Sequence, residues 1–327
     1  MIDVAAAIIE HQGKVLVARR KPGSHNGGLW EFPGGKIEPG ETARQCLMRE
    51  LEEELGIQSQ IGEAVGENIH YPEGKSEGKS DGKSIRLLAY KVRHTGGEIQ
   101  LHDHDQIQWL TPDQLHTLNW LPADIPLVAC YKAQWTTSNY YLNNAKSYAA
   151  ESQGFAVDNI HAPFINKLQP GAHILDLGCG SGRDSKAFID AGFKITAIDN
   201  CEPLAKLAAQ HIGQAVHQLS FLELDFDREF DGIWACASLL HCPKSQMPHV
   251  LARVMKALKP GGIAFVSFKW GDLETTDDKG RFFNNYTKTS LQALLQQNDQ
   301  VYVHRIWSET TPLRDSEQRW VSAFVGR

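Results

Sequence analysis

The sequence lacks the features that mark secreted, membrane-spanning and zinc-ribbon proteins. Its six cysteines include no Cys-x-x-Cys pair, which argues against a zinc ribbon or a disulfide framework. No apolar run approaches the length of a membrane span, and the N-terminus carries Asp3 without a basic leader, so we expect no signal peptide. These absences predict a protein of the reducing cytoplasm that has no membrane partner.

The chain also lacks an excess of basic residues. It has 33 Lys and Arg against 39 Asp and Glu, which gives a net charge of -6 and a pI near 6.2. We therefore expect no general surface for polymeric nucleic acid, and a phosphorylated substrate would need a local site or a metal ion. A length of 327 residues with 42% hydrophobic residues indicates two globular domains.

The segment from Thr42 to Leu55 predicts an amphipathic helix. It contains neither Gly nor Pro, and Gly56 follows at the position where helices commonly end. Leu47, Leu51 and Leu55 recur at every fourth residue and form one apolar face. The remaining faces of this helix are therefore free to carry polar function.

The acidic face of the same segment lacks lysine, although a solvated helix face usually alternates the two charges. Glu50, Glu53 and Glu54 share this face, and like charges at such spacing cost about 0.2–0.5 kcal/mol per pair. A divalent cation reverses the sign of that cost, because hard cations such as Mg2+ bind carboxylate oxygens together with substrate phosphates. The pattern favours a metal site over a solvated acidic face.

The full stretch GKIEPGETARQCLMRELEEELGI, residues 35–57, resembles the Nudix box without a departure. Glu41, the Arg49-Glu50-Leu51 triplet, the Glu53-Glu54 pair and Gly56 all stand at the spacing of that motif. The resemblance implies a Nudix hydrolase, which cleaves a nucleoside diphosphate linked to another group. It also implies an α/β/α Nudix fold, with a mixed sheet between helices.

The resemblance to Nudix hydrolases further implies the roles of individual residues. Mg2+ or Mn2+ would neutralise the phosphate chain and activate the attacking water, and Arg49 would hold Glu50 and Glu41 in place. The implied metal ligands are the Gly34 carbonyl, Glu50, Glu53, Glu54 and Asp103, and the implied catalytic residues are Glu41, Arg49, Glu50 and Glu53.

Two flanking segments, ARRKPGSHNGGLWEFPGGKIE (18–38) and LPADIPLV (121–128), resemble the MutT-type branch that clears 8-oxo-dGTP from the nucleotide pool. In that branch the positions of Arg20 and Phe32 lie near the nucleotide, and Asp124 stands where Asn often recognises the base. An ionised Asp only accepts hydrogen bonds, so it favours a base edge that presents donors. We expect 8-oxo-dGTP as substrate, with CTP or a modified dCTP as the alternative.

Between these segments, PEGKSEGKSDGKS (72–84) repeats GKS three times at a period of four. A phosphate-binding loop of the P-loop type needs glycines five positions apart before its lysine, so the register of this repeat does not fit. We expect a lengthened, flexible hairpin loop at this point of the first domain.

The second half alternates predicted strands and helices. The strands are HILDL (173–177), KITAID (194–199), FDGIWA (230–235) and IAFVSF (263–268). Such alternation predicts a doubly wound, Rossmann-like α/β fold with a parallel sheet. We place the first domain at 1–134, a polar linker at 135–146 and the second domain at 147–327.

The segment DLGCGSGRD (176–184) lies between a predicted strand and helix. A dinucleotide fingerprint from Gly178 requires glycine at the position that Arg183 occupies. Together with FDGIWACASLLH and LKPGG, the loop resembles the class I methyltransferases that use S-adenosylmethionine. The resemblance implies a cofactor site formed by Asp176, Gly178, Cys179, Gly180, Gly182, Asp199 at the ribose and Glu223 at the adenine, although Glu223 also fits a solvated loop.

Ser238, His241 and Lys269 follow predicted strands at their C-terminal ends, where ligands bind in such sheets. We take them as candidates for the side that binds an unknown small methyl acceptor, and a surface or helix-capping role remains open for His241. One intact motif set in each half predicts a bifunctional enzyme. The alternative is a nucleotide sensor in which one half is inactive.

Overall fold

The computed structural model describes residues 1–71, 84–154, 158–312 and 317–327. The chain divides into two compact units, Met1–Trp135 and Thr136–Arg327. All but the last residue of the GKS repeat lies outside the described residues. No helix in the described part of the chain combines the length and apolarity needed to span a membrane.

The first unit is built on a mixed seven-stranded sheet. Its order is β3-β2-β1-β6-β5, with β4 paired to β1 and β7 paired to β2. Strands β1 and β6 are parallel, and the other pairs are antiparallel. The elements are β1 Ile2–His11, β2 Lys14–Arg20, β3 Trp30–Glu31, β4 Gly34–Lys36, α1 Ala43–Leu55, β5 Gln58–His70, β6 Ile85–Gly96, β7 His104–Leu110 and the start of α2 Ile125–Gln153.

Alternate residues of β1 point to two separate hydrophobic cores. Ala5, Ala7 and Ile9 pack with the leucines of α1, whereas Ala6 and Ile8 pack with the residues that begin α2. The period-two alternation of a strand therefore places one helix on each face of the sheet. This arrangement confirms the predicted α/β/α Nudix fold.

Helix α1 forms where the sequence predicts it, because both of its ends are capped. The Thr42 side chain and Gln45 make a reciprocal capping box at the N-terminus. Gly56 adopts the left-handed conformation at the C-terminus, with φ of 67°, and its N–H bonds to Glu52 O. These caps fix the rotation of the helix and hence the direction of its acidic face.

The second unit contains a seven-stranded sheet in the order β10-β9-β8-β11-β12-β16-β15. The first five strands in this order are parallel to one another, which confirms the doubly wound prediction. The last two strands, β16 and β15, are antiparallel and lie at one edge of the sheet. The strands are β8 His173–Leu177, β9 Lys194–Ile198, β10 Val216–His217, β11 Phe230–Ala235, β12 Leu258–Lys269, β13 Glu274–Thr276, β14 Phe282–Asn284, β15 Tyr302–Pro312 and β16 Glu317–Gly326. The helices are α3 Asp158–Ile165, α4 Arg183–Asp190, α5 Glu202–Ile212, α6 Met247–Ala257 and α7 Lys288–Leu295.

Two local predictions about secondary structure were wrong. Residues 135–146, predicted as an irregular polar connection, are helical within α2. Asn and Thr are weak helix formers, but Tyr141, Ala145 and Ala149 pack on Leu204, and such packing outweighs propensity. The KPGG segment (259–262), where Pro and Gly predict a turn before the strand IAFVSF, is part of β12, with a register shift opposite β11.

Candidate active sites

In the first unit, the Arg49 guanidinium lies between three carboxylates. Its Nη2 donates to Glu41 Oε1 at 2.8 Å, and its Nη1 donates to Glu50 Oε1 at 2.9 Å and to Glu53 Oε2 at 3.2 Å. The bond from Arg49, together with the backbone N–H of Glu38, lowers the pKa of Glu41 to about 2. Arg49 thus contacts both of the residues that the Nudix resemblance assigns to it.

Two adjacent glycines let β4 approach the acidic face of α1. A Cβ at Gly34 would overlap the carbonyl oxygen of Ala5, and a Cβ at Gly35 would overlap the carboxyl group of Glu50. The backbone N–H of Gly34 donates to Glu54 Oε2 at 3.2 Å. Glycine at position 34 therefore lets β4 pair closely with β1, and glycine at position 35 leaves room for the Glu50 carboxylate.

Glu54 is the most buried carboxyl group of this cluster. Burial raises its pKa to about 7, and the negative charges of Glu31 and Glu50 raise it further while His104 opposes them. A concentration of buried carboxylates that repel one another is chemically suited to Mg2+, which supplies the missing positive charge. The oxygen donors therefore fit the metal that the family implies.

The acidic side chains are not gathered into a closed metal site. Across the described ranges, no group of three or more His, Cys, Asp or Glu residues has the arrangement of a metal site. Glu50 and Glu53 bond to Arg49 instead, and the exposed Asp103 forms no hydrogen bond or ion pair in the part of the chain that is described. The ligand roles of these residues stay predictions.

His104, the first residue of β7, also belongs to this region. It is 2% exposed, and its Nε2 lies 2.9 Å from Glu31 Oε1. Arg20 Nη1 donates to the same carboxylate at 2.8 Å, so Glu31 bridges the two side chains. Strand alternation places His104 on the same face of β7 as Gln106 and Gln108, so the local sequence gives no signal for its burial.

The predicted nucleotide-binding residues Phe32 and Asp124 lie next to each other. Phe32 packs against Trp120 with ring centroids 4.9 Å apart, and its backbone N–H donates to Asp124 Oδ1 at 3.0 Å. Burial raises the pKa of Asp124 to about 8. The expectation of an ionised Asp124 was therefore wrong, because the carboxyl group is mainly protonated at neutral pH and both donates and accepts hydrogen bonds.

In the second unit, the glycine loop follows β8 and has a left-handed backbone at three positions. The φ angles of Gly178, Gly180 and Gly182 are 78°, 57° and 76°. A Cβ at Gly178 would lie 2.6 Å from Ser238 Cβ, and a Cβ at Gly182 would lie 2.9 Å from Ile212 Cγ2. The loop therefore needs glycine both for its backbone conformation and for its close packing.

The buried carboxyl group of Asp176 and the half-buried one of Asp199 support this loop. Asp199, directly after β9, accepts hydrogen bonds from the backbone N–H groups of Gly180 and Cys201, each at 2.8 Å. Asp176 accepts a hydrogen bond from the Ser185 hydroxyl at 2.5 Å. Burial raises the pKa of Asp199 to about 6 and that of Asp176 to about 7. Each carboxyl group retains lone pairs for a further donor, such as a ribose hydroxyl.

Aromatic residues that were not predicted also reach the glycine loop. A Cβ at Gly178 would lie 3.3 Å from Phe221 Cζ, and a Cβ at Gly180 would lie 3.6 Å from Tyr148 Cε1. Glu223 lies in the same 3-10 turn as Phe221 and is half-buried, and its adenine role stays a prediction. Tyr148 was missed because its segment adjoins the residues that were interpreted as a linker.

The three predicted acceptor-side residues lie at the ends of β11 and β12. His241 Nδ1 donates to the Phe282 carbonyl at 2.6 Å, and the Lys269 ammonium lies 3.3 Å from the centroid of the Phe283 ring. Ser238 is 7% exposed, and its Oγ forms no hydrogen bond within the described ranges. An unpaired buried hydroxyl is costly, so the neighbourhood is suited to a polar ligand.

Comparison with known proteins identifies the family of each half. The NUDIX domain family model matches residues 1–129. The chain belongs to the Nudix family. A methyltransferase domain family model matches residues 174–262, so this Nudix protein carries a methyltransferase domain as its second half. Both parts of the predicted fusion are confirmed, and both are domains of enzyme families.

Individual relatives agree with this assignment. The chain is 43% identical over 133 residues to the CTP pyrophosphohydrolase of Escherichia coli (strain K12), covering 41% of this chain and 93% of the relative. It is 40% identical over 126 residues to a putative 8-oxo-dGTP diphosphatase 2 of Mycobacterium tuberculosis (strain CDC 1551 / Oshkosh), covering 38% of this chain and 82% of the relative. The fold also resembles a 1,6-didemethyltoxoflavin-N1-methyltransferase of Burkholderia thailandensis, with a TM-score of 0.50, 22% identity, and coverage of 63% of this chain and 91% of that chain.

Proposed function

We propose that the first unit is a Mg2+-dependent nucleoside triphosphate diphosphatase that releases pyrophosphate from CTP or a modified dCTP. The observation that carries the proposal is the buried Asp124, whose Oδ1 accepts the Phe32 backbone N–H at 3.0 Å, in a unit whose helix α1 presents three carboxylates. The 43% identity to a CTP pyrophosphohydrolase supports the choice of base. 8-oxo-dGTP is the second candidate, supported by the 40% identity to a putative 8-oxo-dGTP diphosphatase.

A protonated carboxyl group at Asp124 is compatible with both candidate bases, cytosine and oxidised guanine. Asp124 Oδ1 already accepts the Phe32 N–H, which leaves one O–H donor and further lone pairs. Cytosine presents an amino donor at N4 beside the acceptor N3, and oxidised guanine also presents an N–H group beside a carbonyl. A neutral acid complements either edge, whereas an ionised acid complements only donors.

At the phosphates, the proposed metal ligands are Glu50, Glu53, Glu54 and the Gly34 carbonyl. When bound, Mg2+ supplies charge neutralisation and an activated water. Arg49 holds the carboxylates of Glu50 and Glu53 on one side of α1. This preorganisation lowers the cost of gathering like charges before the metal and the substrate arrive.

The substrate ranking tests this proposal. We would measure kcat/KM for pyrophosphate release from CTP, dCTP, 8-oxo-dGTP and dGTP, with ADP-ribose as an unrelated Nudix substrate. Glu53→Gln should abolish turnover, whereas Glu52→Gln, an exposed residue on the same helix, should keep it. A preference for 8-oxo-dGTP would select the second candidate. No turnover of any triphosphate would refute the diphosphatase and favour a sensor.

We propose that the second unit binds S-adenosylmethionine at its glycine loop and transfers a methyl group to a small acceptor. Asp199 would accept hydrogen bonds from the ribose hydroxyls, and Phe221 would lie beside the adenine. Titration of S-adenosylhomocysteine into the full chain tests the cofactor site. Asp199→Asn should weaken binding about tenfold, and Asp190→Asn, at an exposed ion pair with Lys186, should not change it. Failure of the wild type to bind would refute the proposal.

A further inference from the structure

A continuous row of rings in the second unit starts at the glycine loop. The Tyr148 ring lies next to Gly180, and Tyr141 packs edge-on against it with centroids 5.0 Å apart. His241 packs on Tyr141 at 5.5 Å, and Phe283 packs on His241 at 5.0 Å. We call these four rings the aromatic wall. Neighbouring rings are tilted against each other by 81°, 74° and 43°, so they form an aromatic lining, which begins at the cofactor loop and is suited to an aromatic ligand.

The far end of the aromatic wall carries a positive charge that lacks a counter-ion. The Lys269 ammonium lies over the Phe283 ring at 3.3 Å, and among the described residues it forms no hydrogen bond or ion pair. Burial lowers its pKa, which shows that its hydration is incomplete. The neighbouring Arg281, by contrast, is neutralised by Asp277 through two bonds of 2.9 and 2.7 Å.

Lys269 lies at a distance from the cofactor loop. Lys269 ends β12, and the loop follows β8, with β11 between the two strands. Neighbouring strands are about 4.8 Å apart, so roughly 10 Å separates the two strand ends. This charge is therefore better placed for the methyl acceptor than for the cofactor.

His241 presents a hydrogen-bond acceptor in the middle of the aromatic wall. Because Nδ1 donates to the Phe282 carbonyl, we assign the proton of the neutral ring to Nδ1, and Nε2 then accepts the Tyr141 hydroxyl at 2.9 Å. Burial, together with the charges of Arg281 and Lys269, lowers the pKa of His241 to about 4 and keeps the ring neutral. The single lone pair of Nε2 is thus occupied by the Tyr141 hydroxyl, and a bound hydroxyl group can use it only by replacing that of Tyr141.

We propose that Lys269 binds an anionic group of the methyl acceptor and that the nucleophilic hydroxyl of the acceptor replaces the Tyr141 hydroxyl as the donor to His241 Nε2, so the acceptor is a small aromatic hydroxy acid. This inference rests on the proposed methyl transfer. The acceptor oxygen forms a bond to the methyl carbon while the methyl–sulfur bond breaks, the electron pair stays on sulfur, and the hydroxyl proton passes to Nε2. The bound anion offsets the charge of Lys269 and makes His241 more basic for this step.

Calorimetric titration of the full chain tests the anion site. S-Adenosylhomocysteine is titrated first, because its failure to bind would refute the proposed function rather than this inference. With it bound, 3,4-dihydroxybenzoate is compared with the neutral 3,4-dihydroxybenzamide. We expect the acid to bind about tenfold more tightly or better. Lys269→Gln should remove this preference, whereas Lys167→Gln, an exposed lysine over the Phe324 ring, should keep it.

The same titrations define the results that contradict the anion site. Equal affinity for the acid and the amide, no binding of either compound, or a preference that survives Lys269→Gln would each overturn it. Because Lys269 is only half-buried, the substituted chain should remain folded, and its affinity for S-adenosylhomocysteine checks this directly.

Methyl transfer to 3,4-dihydroxybenzoate tests the role of His241. His241→Asn should lower kcat by about tenfold or more while the dissociation constant of the acid changes little. The matched control is His211→Asn, at an exposed histidine of α5, which should preserve turnover. If His241→Asn left kcat unchanged, or if the wild type bound the acid without methylating it, His241 would not be the acceptor of the hydroxyl proton.

Discussion

Replacement of Asp124 by Asn tests whether the ionisation of this side chain matters, because Asn can keep its hydrogen bonds but has no titratable proton. Asp124 is 3% exposed and its Oδ1 lies 3.0 Å from Phe32 N, a bond that the Asn side-chain oxygen can keep. Burial raises the pKa of Asp124 to about 8, with Glu31 raising it further and Arg20 lowering it. Asn imitates the protonated acid, which donates and accepts, but it cannot ionise.

The pKa of Asp124 fixes the expected size of the effect on catalysis. The protonated fraction of a group with a pKa of about 8 is about 90% at pH 7 and about 10% at pH 9. If the protonated acid recognises the base, kcat/KM for CTP should fall about ninefold between pH 7 and pH 9 relative to Asp124→Asn. Effects of pH on the metal and the phosphates are common to both proteins and cancel in this ratio.

Initial rates of pyrophosphate release at fixed free Mg2+ provide the assay. We expect the ratio of wild-type to Asp124→Asn kcat/KM to decline with a midpoint near pH 8. A ratio that stays constant from pH 7 to pH 9 would show that Asp124 does not change its protonation in contact with the base. A ratio that rises with pH would show that the ionised form is the active one.

The same substitution predicts a change in the pH dependence of stability. The pKa of Asp124 rises from 3.8, its ordinary value, to about 8 in the folded chain, so between these values the folded state holds a proton that the unfolded state has lost. The free energy of unfolding therefore falls as pH rises from about 4 to about 8, and this loss should be absent in Asp124→Asn. The free energies of unfolding are measured by urea denaturation of both proteins at pH 5 and pH 8. If the wild type and Asp124→Asn lost the same free energy of unfolding between these pH values, this reasoning would be contradicted.

Three further substitutions test the two sites. Gly35→Ala places a Cβ against the Glu50 carboxyl group and should reduce pyrophosphate release roughly 100-fold, with normal S-adenosylhomocysteine binding as the control. Arg49→Lys keeps the charge but loses the planar contacts to Glu41 and Glu50, so we expect a similar loss of kcat, and wild-type kcat would exclude a positioning role. Asp199→Asn removes the negative charge and can keep only one of the two backbone hydrogen bonds, from Gly180 or from Cys201, and an unchanged calorimetric affinity for S-adenosylhomocysteine would place the ribose elsewhere.

Much of the fold follows from local patterns in the sequence. The leucine spacing, Thr42 and Gly56 predict α1 to within one residue, because apolar period and caps are local properties. The order of strands and glycine loop likewise predicts the second unit. The Arg49 contacts with Glu41 and Glu50 follow from the Nudix resemblance, since the helix brings these side chains to one end of β4.

The errors concern properties that depend on distant residues. The helical state of residues 135–146 depends on packing against Leu204 in α5, which their own polar composition does not reveal. The protonation of Asp124 depends on its burial next to Phe32, some ninety positions away in the chain. The aromatic wall joins rings from α2, from the turn after β11 and from β14, and their proximity is a property of the sheet order.

Phosphorus NMR of the products of CTP hydrolysis tests the diphosphatase assignment most directly. With Mg2+ the intact chain should yield CMP and pyrophosphate, without orthophosphate as a primary product. Removal of the metal by a chelator, or the Glu53→Gln substitution, should stop the reaction, and Glu52→Gln should leave it unchanged. CDP with orthophosphate, or hydrolysis that persists in Glu53→Gln, would contradict a diphosphatase built on the acidic face of α1.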